Sequence, residues 1–265
     1  MEGVWMFPLL GVLAGVLAGL LGIGGGLVLV GALAWILPLH GVPREAAMHA
    51  ALASSLASIV LTAASSAYAH HRRGSVLWPT VAWMVPGLLL GGWLGSGLAV
   101  YLDDNMLRWI VAGYCFIAGA QMVLGGHAHP EGRGVPAPRG PWMSAAGSVV
   151  GAVSAVVGIG GGSMTVPLLV ARGVQPVRAV GTSSACGVAI GIASAAGYAL
   201  HAPPGALPAH AVGYIYLPAA IGVAIASVLA APWGTRLAHR IGGKALKRVF
   251  AGFMILMGIA ILASG

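Results

Sequence analysis

Residues 4–38 form an apolar run of about 35 residues, broken midway by Gly-Ile-Gly-Gly-Gly at 22–26. Residues 141–171 form a second overlong run, broken by the same pentad at 158–162. A bilayer-spanning helix needs only about 20 apolar residues. Each glycine weakens a helix by roughly 1 kcal/mol relative to alanine. Each run is therefore too long for one straight crossing and too weak in its middle to stay helical throughout. Two structures satisfy this: a tilted, broken helix that crosses the bilayer, or a re-entrant hairpin that enters and leaves on one face.

The solvent follows from composition. Apolar residues make up 58% of the chain and charged residues 7%, with a mean hydropathy of +0.94. Soluble domains carry about 25% charged residues, so this chain cannot cover itself with a water-facing surface. Apolar segments recur at roughly 4–38, 46–69, 76–101, 106–125, 141–171, 177–200, 211–233 and 249–264, leaving no separate soluble domain. The net charge of +8 does not indicate nucleic acid, because the basic residues sit in short loops between apolar runs, where they act as orientation signals. Cys115 and Cys186 lie within apolar segments and lack any paired spacing, so neither a disulfide nor a metal centre is expected. No Lys or Arg precedes Arg44, so the first run is expected to stay in the mature protein.

The glycine- and proline-rich stretch 125–141 divides the chain into two halves with four apolar segments each. The pentad recurs at an offset of 136, Tyr68/His71 recur as Tyr198/His201 at 130, Pro86 as Pro218 at 132, and "LRWIVAG" (107–113) as "LKRVFAG" (246–252) at 139. Four matches in the same order point to an internal duplication. The expected domains are a first membrane repeat at 1–125, a cytoplasmic linker at 126–140 and a second membrane repeat at 141–265.

Charge discriminates between the two structures. If all eight segments cross, the basic residues divide 9 against 4. If the two glycine-broken segments turn back, Arg72, Arg73, Arg133, Arg139, Arg172, Arg178, Arg236, Arg240, Lys244, Lys247 and Arg248 share one face and only Arg44 and Arg108 the other, a split of 11 against 2. The positive-inside rule favours the hairpins. The expected fold is thus an all-α polytopic protein of two inverted repeats, each a glycine-broken hairpin plus three transmembrane helices. Both termini are expected outside the inner (plasma) membrane.

The pentads, the following "SMTVPLL" and "RAVGTSSA" at 178–185 resemble the sulfite exporter TauE/SafE family over the whole chain. The second half is the better match: Gly31 stands where that half has Pro167, and "MHAALASS" (48–55) stands where it has "VGTSSACG". The resemblance implies a membrane transporter of small sulfur-containing anions such as sulfite or organosulfonates.

The residues themselves suggest how an anion could be held. A helix starting at mid-depth points free N–H groups and a positive dipole end at the pore. The substrate site is expected between the triplets, from Gly24, Gly25 and Gly26 in the first half and Gly160, Gly161 and Gly162 in the second. Ser163, Thr165, Thr182, Ser183 and Ser184 supply candidate hydroxyls, and His49 an imidazole. The competing reading is that the glycines are packing contacts and the hydroxyls bond back to their own helices. The five acids, Glu2, Glu45, Asp103, Asp104 and Glu131, all fall in loops or at segment ends, which disfavours a carboxylate relay for cations.

A metal-ion permease or metallo-accessory membrane protein using His49, His71 and His201 is the alternative. An enzyme pairing Ser183 or Ser184 with His49 is set aside, because no G-x-S-x-G or H-E-x-x-H motif is present. No cofactor is expected. The expected partners are a small anion and the bilayer, with a homodimer as an option and no nucleic acid.

Overall fold

In the computed structural model, residues 5–21, 25–124, 137–238 and 243–263 are described. Each overlong run becomes two helices. The first gives α1 (Met6–Leu21) and α2 (Gly26–Leu39), and the second gives α6 (Pro141–Val157) and α7 (Gly162–Ala171). The other helices are α3 (Ala47–His71), α4 (Trp78–Val100), α5 (Asp104–Leu124), α8 (Pro176–Leu200), α9 (Leu217–Ala238) and α10 (Gly243–Ala263). The apolar segment read from 211 starts differently from the expectation. Its first residues form a small antiparallel hairpin, β1 (Ala211–Val212) with β2 (Ile215–Tyr216), and helix begins only at Leu217.

The breaks need glycine for two separable reasons. Gly25 and Gly161 cap α2 and α7 in the left-handed region, at φ +59° and +73°, and Gly158 ends α6 at +76°. A side chain there is strained in any surroundings. The breaks are also crowded. A Cβ on Gly26 would stand 2.6 Å from the Gly158 carbonyl oxygen, and one on Gly25 would stand 2.4 Å from that of Ala14.

The chain doubles back at each break. Phe7, at the start of α1, has its ring 4.9 Å from that of His40, just past α2. Arg172, just past α7, lies 3.7 Å over the ring of Trp142, at the start of α6. The two bends meet half-way along α3, since Gly26 and Gly160 both pack against Ile59.

Helices from the two halves pair through small residues. Gly87, Gly91 and Gly95 of α4 run along the backbone of Ser144, Ser148 and Ala152 of α6, while Gly147 and Gly151 of α6 meet Met84 and Leu88 in return. Gly11 and Gly15 of α1 lie in the same way on Val223 and Ser227 of α9. Without glycine here the backbones could not approach, and close backbone packing is what associates helices in lipid. The opposite faces are apolar and exposed: Leu90, Leu94 and Leu98 on α4, and Ile221, Ile225 and Leu229 on α9. This is the inverse of a soluble amphipathic helix. Among the described residues, four helices are long and apolar enough to cross a membrane: α3 with its preceding turn (Arg44–His71), α4, α8 and the Leu217–Gly234 portion of α9.

The connections gather at two ends. The residues around 40–46, 101–103 and 201–216 lie together, joined by His49 to Ala99, Met48 to Asp104 and Tyr214 to Tyr198. Those around 72–77, 137–140 and 172–175 lie at the other end, joined by Thr80 to Pro138 and Leu77 to Thr182. Arg44 and Arg108 belong to the first, hairpin end; Arg72, Arg73, Arg139, Arg172 and Arg178 belong to the second, linker end.

Candidate functional site

α3 and α8 run side by side through the middle of the molecule, and both break their apolar faces with hydroxyls. Between them, beside the second glycine break, lies a tight cavity of about 10 Å³, room for about one water. Thr62 and Ser66 of α3 and Ser183 and Ser184 of α8 line it, with Gly160 and Gly187 and an apolar wall of Ala18, Ile59 and Ala63. No charged side chain is among these lining residues. Thr62 and Ser66 lie past the midpoint of α3, so the cavity extends from the middle of that helix toward the linker end.

Most of these hydroxyls are occupied. Thr62 donates to the Ser58 carbonyl at 3.0 Å and also meets the Ser227 hydroxyl. Ser184 donates to the Val180 carbonyl at 3.0 Å and so accepts from Ser66 at 3.1 Å. Ser183 differs. Its hydroxyl is buried, faces the cavity and has no hydrogen-bond partner. A buried donor without an acceptor is costly. Ser154, beside Gly161, and Thr165, in the first turn of α7, also carry buried hydroxyls without a partner.

The expected site residues separate. Gly160 and Ser183 line the cavity. Gly161 and Gly162 form the start of α7 next to it, and Gly25 and Gly26 form the start of α2; Gly24 falls outside the described residues. Thr182 points elsewhere: its hydroxyl accepts from the Leu77 N–H at 3.0 Å and donates to the Arg178 carbonyl at 2.7 Å, so it ties the start of α8 to the α3–α4 turn. Ser163 bonds the Tyr114 hydroxyl of α5. His49 sits at the hairpin end of α3, whereas His71 sits at the linker end of the same 25-residue helix. A helix of that length spans about 37 Å, so these two histidines cannot share an ion. Among the described residues no group of three His, Cys, Asp or Glu side chains is placed to hold a metal.

Sequence reasoning missed two features. Ser55 donates to both breaks at once, to the Gly26 carbonyl at 3.2 Å and the Gly158 carbonyl at 3.1 Å, and so holds the bends together. A Ser-Ser pair in an apolar helix is a visible signal, but its partners come from chain segments 29 and 103 residues away. Asp104 is the second. It lies at a helix start, as read, but is nearly buried, held by the Met48 N–H at 2.7 Å and by Arg108 at 2.9 Å. Burial, and then the neighbouring Asp104, push the phenol of Tyr214 in the hairpin above its ordinary value.

Apolar outer faces, small-residue seams and two broken segments that meet half-way along α3 define a multi-pass helical membrane protein with a small, mostly apolar cavity edged by hydroxyls at its centre. The chain belongs to the sulfite exporter TauE/SafE family, whose model matches residues 7–261. It is 35% identical over 253 residues to a Haemophilus influenzae protein described as "Probable membrane transporter protein", covering 95% of both chains. A Methanocaldococcus jannaschii protein of the same description is 24% identical over 265 residues, 98% of this chain and 97% of the relative. No solved structure matches the chain.

Proposed function

We propose that this protein transports, and in the cell exports, a small sulfur-containing anion such as sulfite or an organosulfonate, bound in the cavity between α3 and α8. The observation that carries the reading is the unpartnered, buried Ser183 hydroxyl, facing a space lined by other hydroxyls and by the Gly160 backbone. An open hydroxyl donor without a fixed cation suits an anion that must also be released. The starts of α7 and α2 add their positive dipole ends at the same depth. Family membership and the descriptions of the relatives favour transport over catalysis.

In this reading the linker end is cytoplasmic, because it gathers the basic residues. The doubled-back segments are then re-entrant hairpins, α1–α2 from outside and α6–α7 from the cytoplasm, and the two halves, 1–125 and 141–265, are inverted repeats. The adjacency of Phe7 to His40 and of Trp142 to Arg172 supports it. The cavity then faces the cytoplasm, where an exported anion loads. Each negative charge leaving a negative-inside cell gains about 2.3 kcal/mol per 100 mV.

The test is flux and binding in proteoliposomes with sulfite, sulfate, thiosulfate and taurine. Losing a neutral donor to a charged ligand costs about 1.5–3 kcal/mol. Ser183→Ala therefore weakens binding of the transported anion by about tenfold or more. Unchanged affinity in Ser183→Ala, or no flux of any of the four, refutes the reading.

A further inference from the structure

The hairpin end holds a buried cluster that the substrate cavity does not use. His49, only 4% exposed, stacks on Tyr214 of the β-hairpin at 4.8 Å, with an interplanar angle of 22°. Its Nε2 lies 3.2 Å from the Ala99 carbonyl oxygen. A carbonyl only accepts, so Nε2 carries the proton in that bond. That leaves Nδ1, which has no hydrogen-bond partner and faces Oδ1 of Asp104 at 3.6 Å. In neutral His49 this nitrogen presents a lone pair to a carboxylate. The contact is attractive only when a proton sits between them.

We propose that His49 and Asp104 form a proton-binding site that closes the hairpin end of the protein. With the proton bound, the imidazolium on α3 pairs with the carboxylate on α5, and Tyr214 lies over the pair as a cover. Without it, two acceptors oppose each other beneath the hairpin, and α3, α5 and the hairpin separate more readily. Among the described residues, the charged and titratable groups facing His49 are few. They are Asp104 and Arg108 from α5 and Tyr214 from the hairpin, with Tyr198 of α8 behind Tyr214; α4 contributes only the Ala99 carbonyl. Arg44 and Glu45, in the turn before α3, are exposed. Arg108 pairs with Asp104 at 2.9 Å and arginine does not lose its proton, so the proton on His49 is the variable. α3 also carries Ser55 at the breaks and Thr62 and Ser66 at the cavity, so an event at its start reaches the transport path through one rigid helix.

The consequence for transport rests on the function proposed above: the proton is the ion whose binding and release accompany opening of the outer face. The decisive experiment needs no substrate. In a Cys115→Ala/Cys186→Ala background, Ala99→Cys places a thiol at a position with 0% exposure beside His49, without touching the carbonyl. Leu39→Cys places a reference thiol at a position 77% exposed at the same end. Both thiols are labelled with a membrane-impermeant maleimide and read as a ratio of rates, and His49→Gln in the same background accounts for the different pH dependence of a buried and an exposed thiol. We expect this ratio to rise about tenfold more from about pH 5 to 8, where imidazoles titrate, with His49 present than in His49→Gln. The same pH dependence of the ratio with His49 and in His49→Gln overturns the proposal. Should His49→Gln fail to insert, spectra of the full chain carrying 15N-histidine decide, and a His49 Nδ1 that keeps one protonation state across the range overturns it. Ser183→Ala separates the two readings, because it lowers anion affinity while leaving the labelling ratio and its pH dependence intact.

Discussion

Alanine at Gly25 tests whether the glycine breaks are conformational necessities, steric necessities or both. Gly25 caps α2 with φ +59°, and a Cβ there would stand 2.4 Å from the carbonyl oxygen of Ala14 on α1. Gly41 is the matched control: its φ is +87°, but a Cβ there would meet nothing within 4 Å. Gly41→Ala thus incurs only the left-handed penalty, about 1–2 kcal/mol. Gly25→Ala adds the cost of forcing a methyl group against backbone that cannot rotate away, about 1–3 kcal/mol, for a total of about 2–5 kcal/mol. With about 2–4 °C lost per kcal/mol for a chain of this size class, thermal unfolding in detergent reads the difference directly. Gly25→Ala should melt several degrees below Gly41→Ala, and it alone should lose flux in proteoliposomes, since the α1–α2 bend must open to admit the methyl. Equal melting temperatures for the two variants would refute the steric half of the argument.

Thr182→Val leaves the Leu77 N–H without its acceptor and should lower stability by about 1–3 kcal/mol while leaving anion affinity unchanged, as thermal unfolding and binding measured on the same sample will show. Arg172→Ala removes the cation held over Trp142 and should cost about 0.5–1 kcal/mol by loosening the ends of the α6–α7 hairpin, seen as a small drop in melting temperature. Transport should persist when sodium is replaced by choline, because the cavity wall contains no carboxylate to hold a cation; flux that vanishes without sodium contradicts this.

The duplicated pentad and the excess length of its two apolar runs were legible in the sequence, because each is a local property of the chain; the basic residues read as loop residues were not all so, since Arg108 belongs to α5 and is buried, and Arg178 and Arg236 belong to α8 and α9. Glycine triplets weaken helix wherever they occur, and lipid demands apolar side chains along every helix it touches. The choice among hydroxyls was not legible. Thr182 and Ser183 are adjacent in a helix rich in small residues, yet one ties down a turn and the other faces the cavity, because neighbours on a helix point about 100° apart. Only the rotation of α8 against α3 decides which faces inward. Likewise the spacing of Gly87, Gly91 and Gly95 marks a close-packing face, but that this face receives α6 from the other half, rather than a helix of its own half, is a matter of tertiary assembly.

By itself, then, the sequence determined the solvent, the helical class, the positions of the two breaks and the family to which the chain belongs, since these depend on composition and on order along the chain. Tertiary structure decided that the breaks meet at Ile59, that Ser55 holds both of them, that Ser183 is left without a partner, and that Asp104 is buried against Arg108 and His49. Each of these joins residues from distant segments, and which distant groups come within hydrogen-bonding reach is set by how whole helices pack, through close approach of small residues that no local pattern assigns to a partner.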